Sequence, residues 1–403
     1  MRKFSTNLKK FLPQRALVVT GMLALAFVPL LEHPALAKPR QFFEQTNLVT
    51  DDQDALMEEG FAPAAFTDPN LVNPWGVAYG HSGPFWVSNQ GTGTSTVYKG
   101  NGEPFPVGSP LVVTIPQNSL GPAGPTGIAF NNTNDFILPT PTGGKGLFFF
   151  ANLDGSISAW NPSQGTTAVR VVTPSVPSLY TGLAIGSNAS GNFLYATNGI
   201  TGKIDVFDKD FNPVSLSGSF TDPNIPTDFV PFNIQNLDGK FYVTYAGPEA
   251  DDAELGSGFV DVFDTDGNLL QHLIEGGPLA SPWGITLAPD NFGQFSNALL
   301  VGNFNDEHGN INAFNPITGD FLGTLKDRNG NLISLPDLWA LTFGNGGLAG
   351  KPNELFFSAG IGEQEHGLFG KLQARNVPEP DALSLFSVSL VPMFMFLQRR
   401  KRR

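Results

Sequence analysis

The sequence predicts an all-β fold: a six-bladed β-propeller of four-stranded antiparallel blades, closed by an N-terminal strand that completes the last blade. Three observations predict it. A short phrase recurs at a nearly constant interval, and each recurrence opens the same succession of apolar runs and turns. The last unit is one strand short, while an unaccompanied strand stands near the N-terminus.

The phrase is clearest in Asn73-Pro74-Trp75-Gly76-Val77-Ala78 and Ser281-Pro282-Trp283-Gly284-Ile285-Thr286. Weaker copies are Gly124-Pro125-Thr126-Gly127-Ile128-Ala129, Tyr180-Thr181-Gly182-Leu183-Ala184, Pro231-Phe232-Asn233-Ile234 and Leu338-Trp339-Ala340-Leu341. With Gly76, Gly127, Gly182, Asn233, Gly284 and Ala340 equivalent, the spacings are 51, 55, 51, 51 and 56 residues. Blades therefore start near 73, 124, 180, 231, 281 and 338.

After the phrase, each unit passes through a Gly/Asn-rich turn into a dense apolar run such as Phe85-Trp86-Val87, Phe148-Phe149-Phe150 or Phe241-Tyr242-Val243. A third segment alternates, as in Lys203-Ile204-Asp205-Val206-Phe207 and Phe259-Val260-Asp261-Val262-Phe263. Period-two alternation of β-branched and aromatic residues between Gly, Pro and Asn is the strand signal. Asp264-Thr265-Asp266-Gly267-Asn268 begins like a calcium loop but lacks the glutamate that closes one, so it is read as a hairpin turn into a fourth strand, Leu269 to Leu273.

Met1 to Ala37 reads as a signal peptide: Arg2, Lys3, Lys9, Lys10 and Arg15, an apolar stretch from Ala16 to Leu31, then Ala35-Leu36-Ala37 as a cleavage site. The propeller is expected over 38–373, with 41–50 as its closing strand. That closure removes sheet edges that would otherwise invite aggregation. Residues 374–403 form a tail: Val377-Pro378-Glu379-Pro380, a hydrophobic segment over 382–397, and the basic terminus Arg399-Arg400-Lys401-Arg402-Arg403. A basic cluster beyond an apolar segment orients it with the charges cytoplasmic.

This three-part tail resembles the PEP-CTERM sorting signal. The resemblance implies recognition by an exosortase, in bacteria that make extracellular polysaccharide, through Pro378, Glu379 and Pro380 with Arg399 and Arg400 in the basic part. The apolar stretch departs from the usual Gly/Leu-rich pattern in carrying Pro392 and several serines. Residues 42–373 in turn resemble a family of exported, functionally uncharacterised propellers that often carry this tail, on phrases such as NPWGVA (73–78), PFNIQNLDGKFYVTY (231–245) and SPWGITLAPDNFGQFSNALLVGNF (281–304). The resemblance implies fold and export, and no activity.

Composition narrows the chemistry. The chain has no cysteine, which excludes disulfides, thiol catalysis and thiolate metal sites. A net charge of −13, more negative still without the basic leader, argues against nucleic acid and for cations or neutral sugars as ligands. No Gly-x-Ser-x-Gly, His-Glu-x-x-His or Walker loop is present.

In an up-and-down blade the start of the first strand and the end of the second share a face. That face should carry Asn73 and Asn233 from the phrase, and Asn89, Asn152, Asn198, Tyr245, Asn303 and Ala359 from second-strand ends. The asparagines can form a ligand-binding ring at the channel mouth, or simply cap turns. Three acidic loops belong there too: Glu249 to Glu254, Asp306 to His308, and Glu363 to His366. Asp306, His308, Glu365 and His366 could surround a divalent cation, and oxygen-rich sets of this kind select Ca²⁺ or Mg²⁺. Solvated surface loops are the plainer reading.

The expected function is that of an exported propeller, periplasmic and then at the cell surface or in the matrix, a non-catalytic binding or scaffold protein of the extracellular polysaccharide layer. It would meet the membrane only through its C-terminal segment before processing. The alternative is a metal-dependent hydrolase, lactonase-like or sugar-processing, centred on the channel; a purely structural matrix role is a third.

Overall fold

The structure, a computed structural model, describes residues 41–116, 124–139, 143–306 and 309–376. The leader, the Pro-Glu-Pro motif, the hydrophobic segment and the basic terminus lie outside the described residues. Among those described, no helix is long and apolar enough to cross a membrane.

Six sheets form, one for each recurrence of the phrase. Blade one runs Pro74–Tyr79, Phe85–Asn89, Thr94–Tyr98 and Val112–Thr114 from the axis outward. Blades two to five repeat that order, with first strands Pro125–Phe130, Tyr180–Asn188, Val230–Leu237 and Pro282–Leu287. Blade six supplies Leu338–Phe343, Glu354–Ala359 and Leu368–Asn376. Its fourth strand is Gln41–Thr50, antiparallel to the third, with Thr50 opposite Leu368 and Gln41 opposite Asn376. The N-terminal strand closes the ring as the sequence predicts.

Two details differ from expectation. The third strand of blade six continues to Asn376, so the tail begins three residues later than read from sequence. The N-terminal strand is also not the edge: Phe66–Thr67 adds a short fifth strand parallel to it, after a helix, Gln53–Glu58, capped by Asp52.

Burial follows the blade order. Among the described residues, six apolar clusters each lie between two consecutive blades, from the Trp86–Phe148 contact of blades one and two to the Phe85–Phe356 contact of blades six and one. Phe43 of the closing strand reaches blade five, where it meets Phe292 and Phe295. Each interface thus joins side chains distant in sequence, and no blade can bury its two faces alone.

The repeated phrase has one backbone consequence. In all six first strands the pairing with the second strand slips at the phrase, between Pro74 and Val77, Pro125 and Ile128, Tyr180 and Gly182, Pro231 and Asn233, Pro282 and Gly284, and Leu338 and Leu341. Such bulges re-aim a side chain. Here they act on Trp75, Thr126, Thr181, Phe232, Trp283 and Trp339, all buried. The glycine that follows is needed for close approach: a Cβ on Gly76 would sit 2.5 Å from the Thr126 carbonyl oxygen, and one on Gly127 2.4 Å from the Leu183 nitrogen.

Candidate functional site

The axis is filled by rings. Trp75 stacks on Trp339 with centroids 3.5 Å apart, and Trp339 stacks on Phe304 at 4.0 Å. Trp75 of blade one also meets Phe232 of blade four and Trp283 of blade five, edge to face at 6.5 and 6.2 Å. Blades one and four are not neighbours, so these contacts can only form across the axis. Two of the indoles are tied in place, Trp339 Nε1 donating to Asn73 Oδ1 at 2.9 Å and Trp283 Nε1 to the Thr181 carbonyl at 3.2 Å, while Trp75 Nε1 is buried without a hydrogen-bond partner. A cavity of about 300 Å³ remains along the first strands, lined by residues such as Val77, Gln235, Thr286 and Thr342. None of its lining residues is acidic or a histidine. A larger cleft, about 790 Å³, opens between blades two and three, where the outer strand of blade three shrinks to Pro213–Val214, away from the rim.

Above the plug lies the acidic rim. Asp337 stands directly before the phrase of blade six, where Asn73 and Ser281 stand in blades one and five, and all three take positive φ, 49°, 44° and 46°. Its side chain is 2% exposed and its Oδ2 has no hydrogen-bond partner. Burial first, then the charges of Asp306, Asp251 and Glu363, push the Asp337 carboxyl up to about 8. Asp251 is likewise raised, by burial and then by Asp252 and Asp306. One buried carboxyl, protonated at neutral pH, is therefore surrounded by the exposed carboxylates Asp251, Asp306 and Glu363.

The sequence-predicted residues divide. Asp306 belongs to this rim, and His308 lies outside the described residues. The expected partnership of His366 with Asp306 is corrected: His366 Nδ1 lies 2.8 Å from Asp51 Oδ2, at the end of the closing strand, and the exposed Glu365 accompanies it there. The turn preceding the last strand divides: Glu363 acts on Asp337 and Gln364 accepts from Asn73, whereas His366 faces the returning N-terminus.

The asparagine ring is also placed differently from a ligand-facing ring. Asn73, Asn89, Asn152, Asn198, Asn233 and Asn303 are all buried. Asn198 Oδ1 accepts the N–H groups of Leu179, Ile200 and Thr201, capping its turn. Asn152 donates to Ser156, and Asn89 to Thr94 and Thr96. Asn233 donates to the Trp283 carbonyl of the next blade and Asn303 to that of Pro278. Asn73 holds Trp339 and donates to Gln90 and Gln364. Turn chemistry and blade-to-blade ties occupy the amide nitrogens, while Asn89 Oδ1 and Asn152 Oδ1 are buried without a hydrogen-bond partner.

No described family profile matches the sequence. The chain is 34% identical over 324 residues to the uncharacterised protein R648 of Acanthamoeba polyphaga mimivirus, covering 77% of this chain and 76% of that one. It is 31% identical over 327 residues to the uncharacterised protein L690 of the same virus, covering 77% and 82%. Among solved structures, virginiamycin B lyase from Staphylococcus aureus, in a catalytically inactive form with quinupristin, is similar at 14% identity and a TM-score of 0.45, covering 83% of this chain and 99% of that one. A protein of unknown function from Bacteroides thetaiotaomicron is similar at 11% identity and a TM-score of 0.47, covering 84% and 77%.

Proposed function

We propose, of a chain that belongs to one family with the mimivirus proteins R648 and L690, that it is an exported propeller acting as a binding or scaffold protein of an extracellular polysaccharide layer, with the acidic rim as its contact face. The observation that carries this reading is the aromatic stack on the axis. A lactonase-like hydrolase would hold its metal and substrate there, and indole and phenyl rings take that space instead. What the rim offers is charge: Asp251, Asp306 and Glu363 present carboxylates that can accept hydrogen bonds from sugar hydroxyls directly or bridge to them through Ca²⁺ or Mg²⁺.

Export rests on the leader over 1–37 and on the tail with Pro378, Glu379, Pro380 and the basic terminus. An exosortase is the partner this tail fits, with the segment over 382–397 holding the chain at the inner membrane until processing.

Binding to immobilised neutral and acidic polysaccharides, with and without millimolar Ca²⁺, tests the rim. Retention should fall when Asp306→Asn and Glu363→Gln are combined. Metal-dependent turnover of a lactone or glycan, lost in the same variant, would favour the hydrolase instead. Normal surface delivery of a chain ending at Asn376 would remove the sorting part of the proposal.

A further inference from the structure

Blade four carries a second group of ionisable side chains, inside the sheet and away from the rim. Asp222 lies on the segment entering the blade, Asp261 is the middle of the third strand, Phe259–Phe263, and His272 sits opposite it on the fourth strand, Leu269–Glu275. His272 Nδ1 is 2.9 Å from Asp261 Oδ1 and 2.8 Å from Asp222 Oδ2. Both carboxylate side chains are completely buried, whereas the imidazole is 22% exposed.

One ring nitrogen cannot serve two carboxylates, because it carries at most one proton. The hydrogen bond goes to Asp261, and Asp222 Oδ2 is left without one. Asp222 Oδ1 is already committed, accepting from the backbone and side-chain nitrogens of Asn224 at 2.8 Å each. Asp261 Oδ2 also lacks a hydrogen bond, and the nearest carboxylate to His272 Nε2 is the exposed Glu275, 3.6 Å away. Even a charged imidazolium leaves one buried negative charge uncompensated, which is costly. Burial, then Asp222, pushes the Asp261 carboxyl up to about 6.

The other blades show what is different here. The same third-strand position holds Thr96, Ser158, Asp205 and Asn312 in blades one, two, three and five. Asp205, the other carboxylate, is satisfied by two donors at 2.9 Å, the Tyr180 hydroxyl and the Asn198 amide. Blade four has Tyr245 in place of that amide, and adds a second carboxylate and an imidazole.

We propose that Asp222, Asp261 and His272 bind a divalent transition-metal ion, zinc being the best fit, which ties the segment entering blade four to its two outer strands. The three nearest donor atoms all lie within 4.8 Å of one another. Their 2.8–2.9 Å separations from the imidazole nitrogen are about half an ångström short of the edge of about 3.4 Å expected between ligands bonded at about 2.1 Å in tetrahedral geometry, so small side-chain rotations would open the site to the ion. Two carboxylates balance the ion's charge and a neutral imidazole completes the set. Imidazole nitrogen disfavours Ca²⁺ and Mg²⁺ and suits zinc. The partly exposed edge of His272 gives the ion a way in.

The test is zinc stoichiometry on the full chain, stripped with chelator, reloaded with ZnCl₂ and desalted, followed by anomalous scattering at the zinc edge from crystals. The expected result is one retained equivalent, an anomalous peak between Asp222, Asp261 and His272, a rise in Tm on loading, and loss of that equivalent in Asp261→Asn and in His272→Gln. Asp306→Asn, on the rim, should retain it and so separates this site from that one. No retained zinc, or one equivalent that survives both blade-four substitutions, would overturn the proposal and leave a hydrogen-bonded cluster sharing a proton.

Discussion

His366 Nδ1 and Asp51 Oδ2 lie 2.8 Å apart across 315 residues of chain, joining the turn before the last strand to the end of the strand that closes the ring. The other oxygen of Asp51 accepts the Gly367 backbone N–H at 2.8 Å. The two ends of the propeller are thus fastened by side chains where their ladder begins.

That contact has a pH signature. The bond to Asp51 raises the His366 pKa above its ordinary value of 6.5, so its contribution is fully present below that value and is lost as pH rises through the folded-state pKa. His366→Ala should cost stability under mildly acidic conditions and progressively less above neutrality. Asp51→Ala should cost more, on the order of 1 kcal/mol or above at every pH, because the Gly367 amide loses its acceptor as well. Thermal melts of both variants between pH 5 and pH 9 check this; a His366→Ala deficit that grows with pH would contradict it.

The closing strand also carries a packing term. Phe43 is 2% exposed and meets Phe292 and Phe295 at 5.1 and 5.8 Å. Phe43→Ala should destabilise by about 3–5 kcal/mol. Limited proteolysis near residue 41 should then become faster, since this end of the strand lies beyond the short ladder to Phe66–Thr67 and depends on the ladder to the third strand and on that ring.

Asp337 shares that pH dependence, but its substitution should stabilise. A carboxyl raised to about 8 keeps its proton in the folded chain at pH values where the unfolded chain has lost it, so stability falls as pH climbs from the ordinary 3.8 toward that value. Asp337→Asn removes the charge and keeps the shape. It should stabilise at pH 8 by on the order of 1–3 kcal/mol, with little effect near pH 4. A variant less stable than the parent at pH 8 would show that the carboxylate is compensated there.

The axial stack predicts a large loss. Trp339 is 1% exposed and touches Trp75, Phe304, Phe232 and Trp283. Trp339→Ala should cost about 3–5 kcal/mol and open the axis to solvent. Denaturant melts and the red-edge tryptophan fluorescence of the remaining indoles would report both.

How far the sequence reaches depends on the range of the interaction. Blade number, blade starts and closure follow from the recurrence of the phrase around Gly76 and Gly284 and from the strand missing at one end, which are local or periodic signals. The bulge that sends Trp75, Trp283 and Trp339 to the axis is a property of strand register, invisible in a linear chain although the tryptophans themselves mark the phrase. Asn198 and its equivalents were open to both a ligand role and a capping role, since an amide at a strand end suits either. Asp337 escapes because nothing in Leu335-Pro336-Asp337 says that its neighbours in space will be Asp306 and Asp251. The blade-four group had one local clue, a carboxylate in the middle of the apolar run Phe259–Phe263, but Asp222 joins it only through the fold.

The phrase glycines supply the last prediction. First strands of neighbouring blades approach so closely at the phrase that Gly127 faces the Leu183 nitrogen and the Gly182 backbone, and a Cβ there would stand 2.4–2.8 Å from them. Those are backbone atoms in the next blade, which cannot rotate aside, so relief requires moving a whole first strand against the packed interface of Ala129 and Leu183. Gly127→Ala should therefore destabilise by about 1–3 kcal/mol or more, as overpacking does. Gly83→Ala is the control: it lies in the turn between the first two strands of blade one, and its nearest neighbour would be 3.7 Å away. Asn233 and Ala340, in the equivalent positions of blades four and six, show that two interfaces accommodate a Cβ. If Gly127→Ala melts with the parent while Gly83→Ala does likewise, the ring at the phrase has slack, and its glycines are there for turn conformation instead of strand approach.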